Sequence, residues 1–265
     1  MTMRKCLLAV LSVISCCSYA DVNTKIYNNY LIYSTPELSP HSITIKRQKI
    51  SSTIPFNIIF TRVAGENAII ESQKNGLIFF IGKKIKGSWY IDYDKKIRLH
   101  SNSFFNLSSD YEFTNTSKYE ITFNENNDIK KESLSKNDYF TINTIYNYDE
   151  NKRLIDSKEK VNGVSIIQKI DYTNQNLAKL ITSESFIEPK LSSSDEMGNE
   201  VIEYIYDDAN QLLQTKQSMH LSETKDVINM DCYFTDHNKH GDWTKGSCVL
   251  NKKNIGNFTR EIEYW

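Results

Sequence analysis

"YIYDDANQLL" occupies residues 204–213 and "YNYDENKRLI" residues 146–155. Both write Tyr-x-Tyr-Asp, a short polar gap and an apolar residue. Counting the second aromatic as position zero, Asp149 and Asp207 follow at +1, and Leu154 and Leu212 at +6. An Asp side chain accepts from the backbone two residues on and so starts a type I turn. A left-handed residue three places after it, ideally Gly or Asn, closes a bulged hairpin loop. The flanking aromatic and Leu then meet on a common face of two paired strands. The word therefore reads as a hairpin corner.

Further copies fit the frame. "ITFNENNDI" supplies Phe123 with Asn127 at +4 and Ile129 at +6, and "IDYDKKIRL" supplies Tyr93 and Asp94 with Leu99 at +6. "IDYTNQNLAKL" supplies Tyr172 and Asn176, its apolar residue one place early at Leu177. "CYFTDHNKHGDWTK" reads as a longer version on Phe234, with Gly241 at +7 and Trp243 at +9. Position +4 is Asn210 in the copy at Tyr206, but Lys152 and Ile97 in those at Tyr148 and Tyr93. Neither suits a left-handed backbone, so those two corners are expected to be strained or differently shaped.

The anchors stand 24 to 34 residues apart, the length of two strands and two turns. Alternation of apolar and polar residues fills the intervals, as in Trp89, Ile91 and Tyr93, and no long window carries helical periodicity. Asn75-Gly76 marks a tight hairpin. Aromatic content of 12%, with 16 Tyr and 12 Phe, suits sheets. The predicted fold is all-β, an antiparallel meander of consecutive hairpins forming a large, twisted, partly open sheet. Residues 21–88 form a β-rich region without clear copies, and 89–265 the repeat meander.

"YNYDENKRL", "YIYDDANQLL" and "DHNKHGDWTK…TREIEYW" resemble the YD-repeat or RHS-like family of bacterial secreted and surface proteins. The family unit is similar to Tyr-x-Tyr-Asp-x-x-Gly-x-Leu-Thr; here Asn or Lys replaces Gly in most copies. The resemblance, over about residues 89–265, implies a short β-meander protein of the bacterial envelope. It transfers no catalytic residue, because the repeat is scaffold.

The first twenty residues read as a signal peptide. Arg4 and Lys5 precede the apolar run Leu7 to Ile14, and Ser18-Tyr19-Ala20 is a cleavage site. The run is too short to span a bilayer, which takes about 20 residues. Cleavage near Ala20 predicts a periplasmic or secreted protein. Val13-Ile14-Ser15-Cys16 also resembles a lipobox, so the alternative is an outer-membrane lipoprotein anchored at Cys16. Removing residues 1–20 leaves 30 basic and 33 acidic residues, a net charge of −3, without the basic footprint of a nucleic-acid binder.

Cys232 and Cys248 are the cysteines outside the leader. With His237 and His240 they invite a zinc reading. A hairpin centred near residue 240 sets the two cysteines opposite each other with the histidines near its tip. Five extended residues, about 17 Å, separate Cys232 from His237, too far for one ion. A cross-strand disulfide is favoured over free thiols or a metal, and no cofactor is expected. His41, His100 and His220 stand alone, and nucleophile-elbow, zinc-protease and P-loop motifs are absent. Asp207-Asp208 reads as turn chemistry, not a hydrolase pair. The run Lys83, Lys84, Lys86 reads as a solvated strand end. The repeat tyrosines are read as packing residues ahead of sugar- or partner-stacking ones. The expected function is non-catalytic binding of an envelope protein partner, possible forms including immunity to a toxin. The alternatives are an envelope hydrolase acting on cell wall or surface glycan and a lipid-anchored surface component.

Overall fold

The computed structural model describes residues 45–52, 68–72, 78–81, 85–92, 97–106, 111–126, 128–135, 140–189, 196–222 and 226–264. Side chains are described at 46–51 and, within those ranges, from 117 onward except Glu196. The leader with Cys16, the Asn75-Gly76 turn, Tyr93, Asp94, Asn127 and His41 lie outside the described residues.

Every described element is a β-strand. The strands are β1 (Ile45–Ser52), β2 (Ala68–Ser72), β3 (Ile78–Ile81), β4 (Ile85–Asp92), β5 (Ile97–Asn106), β6 (Tyr111–Phe123), β7 (Ile129–Ser135) and β8 (Thr141–Tyr148). They continue with β9 (Leu154–Val161), β10 (Val164–Tyr172), β11 (Ala178–Ile187), β12 (Glu196–Tyr206), β13 (Leu212–Leu221), β14 (Val227–Thr235), β15 (Lys245–Leu250) and β16 (Lys253–Tyr264). All pairings are antiparallel, so the chain is the expected meander of hairpins. Twelve strands, β6 to β16 and then β1, make one sheet that does not close on itself. Strands β2 to β5 continue from β1 round to β6, and the full order of sixteen returns to its start.

That return joins Ile50 to Arg260 and Gln48 to Ile262 across more than two hundred residues of chain. The boundary expected at residue 88/89 falls inside β4, which pairs with β3 on one side and β5 on the other. The motif copies stop near there, but the hydrogen-bonded ladder does not.

One side of the sheet holds the core. Phe234, Trp243 and Phe258 meet with ring centroids 5.1–5.9 Å apart, beside Ile50, Leu212 and Cys248, all essentially inaccessible. Gly246 makes this packing feasible, since a Cβ there would lie 2.3 Å from the Phe258 ring. Cys232 and Cys248 are register partners and form a disulfide with Cα atoms 4.1 Å apart. Away from the corners, hairpins turn at Asn162-Gly163 and Asn251-Lys252. Both residues of each pair have positive φ (48° and 84°; 47° and 69°), the form that matches strand twist.

Candidate functional site

Five corners share one hydrogen-bonding scheme. At Asp149, Oδ1 accepts from the backbone N–H groups of Asn151 and Arg153, at 2.9 and 2.8 Å. The Asp149 carbonyl accepts from Lys152 N, and Asp149 N donates to the Arg153 carbonyl. Asp207 repeats this with Ala209, Asn210 and Gln211. Thr173 does so through its hydroxyl and Asn238 through its amide oxygen. Asn124 accepts in the same way from Asn126 and Asp128.

In four of the five the fourth residue is described, and it is left-handed: Lys152 at φ 61°, Asn176 at 65°, Asn210 at 63° and Gly241 at 82°. Lys152 thus adopts the backbone expected of Asn or Gly, and its corner keeps the common shape. The side-chain acceptor and the Arg153 pairing hold it there. At Asp149, burial pushes the carboxyl up, but hydrogen bonds and charge from Arg153 outweigh it and hold the pKa below the ordinary value.

A register shift next to four of the corners aligns zero with +6: Phe123 with Ile129, Tyr148 with Leu154, Tyr172 with Ala178 and Tyr206 with Leu212. At Tyr172 the paired residue is Ala178, with Leu177 buried beside it. The last corner is anchored differently from the expectation. Its acceptor is Asn238, so position zero is His237 rather than Phe234, and Gly241 and Trp243 fall at +4 and +6 like Asn210 and Leu212.

The zero-position tyrosines are tied into the scaffold. Tyr148 donates its hydroxyl to the Ile129 carbonyl, Tyr172 to Leu154 and Tyr206 to Ala178, at 2.8–2.9 Å. In each case the acceptor is the +6 residue of the preceding corner. His237 Nε2 makes the equivalent 2.8 Å bond to the Leu212 carbonyl. His237 is therefore a scaffold group, and His240 lies against the Tyr264 ring at 4.1 Å. No group of three or more metal-ligating side chains occurs among the described residues.

The core side contains several acids. Glu132 accepts from the Tyr146 hydroxyl at 2.9 Å, Glu159 from Thr144 at 3.4 Å, and Glu200 from the Gln217 amide. Register sets Glu132 on β7 and Glu159 on β9 opposite the same residue, Thr144, while Glu200 stands on β12. Asp242 is fully buried with Arg260: a guanidinium nitrogen stands 3.4 Å from Asp242 Oδ1, the Arg260 plane covers the Trp243 ring at 4.2 Å, and the Tyr264 hydroxyl donates to Asp242 Oδ2 at 2.6 Å. This cluster fastens β16 to the last corner.

The opposite face is mixed. Lys216 stands 3.9 Å from Glu203 and Lys49 3.8 Å from Glu261. Lys158 and Lys160 bind Glu188, which also accepts from Ser165 at 2.5 Å. Those bonds, Lys158 first, hold the Glu188 carboxyl down to about 2. Among these charges stand exposed apolar side chains, including Ile145 (46%), Val227 (49%) and Tyr233 (42%). A bilayer-spanning barrel turns an apolar band outward; here the apolar side is the packed core and the other carries ion pairs. Sequence reading named the scaffold residues but not this surface, whose signal is an Ile, Val or Tyr at the polar phase of an alternating strand.

No protein-family model matches the sequence, and comparison with curated proteins finds no relative. No helix among the described residues is long and apolar enough to cross a membrane. Solved structures to which the chain is similar include a porin-like protein of Bacteroides uniformis, at 10% identity and a TM-score of 0.37, covering 83% of this chain and 98% of that one. A porin-like protein of Bacteroides vulgatus is similar at 7% identity and a TM-score of 0.35, with the same coverage.

Proposed function

We propose that the chain is a non-catalytic interaction protein of the Gram-negative envelope, exported through its leader, that engages a protein partner with the face opposite its core. In one form of this reading the partner is a toxin delivered to the periplasm and the chain is an immunity-type antagonist. The observation that carries the reading is the set of exposed Ile, Val and Tyr side chains on a broad, charge-bearing sheet face. The leader and the resemblance of the corner words to YD-repeat proteins support the envelope location. The core-side acids Glu132, Glu159, Glu200 and Asp242 are each held by a neighbouring side chain, as scaffold groups would be.

Photo-cross-linking in the native host tests this. A photoreactive residue placed at Ile145, Val201 or Tyr233 is expected to give a discrete protein adduct, and one at buried Leu212 none. Absence of adducts from all three surface positions overturns the proposal. Metabolic labelling with a fatty acid, compared between the native chain and Cys16→Ala, separates a lipid-anchored form from a free one.

A further inference from the structure

We infer that the edge of β16 is a strand-acceptor site which β1 fills in cis, and that it takes from a protein partner an extended segment with outward cations and one inward aliphatic residue. This edge is separate from the exposed sheet face, so the two partner surfaces stand or fall independently. β1 is held to β16 by pairing alone: the two segments lie more than two hundred residues apart, and no hairpin turn joins them. By contrast, the turn Asn251-Lys252 ties β15 to β16, and the Cys232–Cys248 disulfide staples β15 to β14. Seven residues of β1 pair with β16 and four with β2, which follows only after residues 53–67, the longest link between successive strands.

The seam is polar on both sides. Toward the core, Gln48 and Ile50 stand opposite Ile262 and Arg260, and Ile50 is the one apolar core group among the described side chains of β1. Arg260 is buried beside Asp242, and charges held out of water regain hydration when a covering strand leaves. On the outer side Lys49 stands 3.8 Å from Glu261, and Lys46 pairs with Glu263. Exposed pairs of this kind contribute little and weaken with salt. Parting β1 from β16 therefore withdraws Ile50 from the core and leaves the Phe234, Trp243 and Phe258 contacts, made by β14, the last corner and β16, in place.

A freed edge presents a row of backbone donors and acceptors, the template for strand addition. Its side chains set what fits. Glu261 and Glu263 meet a neighbour carrying Lys or Arg, as they meet Lys46, Arg47 and Lys49, and the place of Ile50 beside Arg260 takes an aliphatic group. The sequence of β1, "IKRQKISS", is thus the template for the partner's segment.

A fluorescent peptide of residues 45–52, titrated with the full mature chain and followed by anisotropy, tests the inference. Saturable binding is expected, at least fivefold tighter to the chain variant K46E/K49E, whose own β1 is repelled by Glu261 and Glu263. A peptide with both lysines replaced by Glu is expected to bind at least tenfold more weakly. Joining β1 to β16 in K49C/E261C with a short bis-maleimide is expected to abolish binding, while the same variant with each thiol blocked by N-ethylmaleimide retains it. Hydrogen exchange needs no variant: amides of the β1–β16 seam are expected to exchange faster than those pairing β14 with β15. Peptide binding to neither native nor K46E/K49E chains, binding undiminished by the cross-link, or seam amides as protected as those of β14 overturns the inference. Cellular cross-links at Ile145, Val201 or Tyr233 without peptide binding leave the interaction function standing and remove this site.

Discussion

The hydroxyl of Tyr172 donates a 2.8 Å hydrogen bond to the carbonyl of Leu154, eighteen residues earlier and one corner back. The same bond joins Tyr148 to Ile129 and Tyr206 to Ala178, and His237 replaces it at Leu212. Each of these four corners is thereby clasped to its predecessor by a group that a phenylalanine lacks.

Replacing Tyr172 or Tyr206 by Phe keeps the packed ring and leaves a carbonyl short of its donor. Each single change is expected to lower unfolding stability by about 1 kcal/mol, measured by urea titration. Tyr233→Phe, on the exposed face, is expected to leave the midpoint unchanged.

Lys152 holds a left-handed φ of 61° without being Gly or Asn. Left-handed backbone costs an ordinary L-residue about 1 kcal/mol, so Lys152→Gly is expected to raise stability by up to about that amount. Lys152→Val is expected to lower it, because a β-branched side chain fits that region poorly. Thermal midpoints of the two variants should bracket the native value.

Gly246→Ala sets a methyl group against the Phe258 ring and 2.7 Å from the Tyr233 carbonyl. Overpacking of this kind costs about 1–3 kcal/mol. Gly246→Ala combined with Phe258→Leu, which frees ring volume, is expected to be less destabilised than the sum of the two single variants.

Burial and the bond to Asp242 push the Tyr264 phenol up to about 12, and burial pushes Tyr172 up as well. An unfolded chain ionises its tyrosines near pH 10. Raised folded values therefore mean stability that is whole below pH 10 and declines as pH rises toward 12. Tyrosinate absorbance should show Tyr264→Phe removing one late-titrating phenol, and the alkaline loss of stability should become shallower.

Cys232 and Cys248 close a loop with a sequence separation of 16. The double change to Ser is expected to cost about 3 kcal/mol. Urea midpoints of native and variant chains under oxidising and reducing conditions check this, since reduction should move only the native one.

Local rules carried much of this architecture. Period-two alternation and the Tyr-Asp words made the hairpins readable, because a corner is built from residues within six positions of one another. The last corner was harder to read because an aromatic, Phe234, precedes the true anchor, His237. The spacing from His237 to Gly241 and Trp243, the same as from Tyr206 to Asn210 and Leu212, carried the signal. The pairing of β1 with β16 and the approach of Arg260 to Asp242 leave no local mark. Contacts between distant segments depend on how many strands intervene and how the sheet curves. The exposed Ile145 and Tyr233 were hidden for another reason: an apolar residue at a polar phase looks like noise until the face it occupies is known.

Since every clasp reaches back by only one corner, a block of two strands with its turn is a self-sufficient module. Inserting or deleting one such block leaves all other clasps with their partners. Growth of this chain by duplication would then proceed in even numbers of strands, lengthening the perimeter without redesigning any junction.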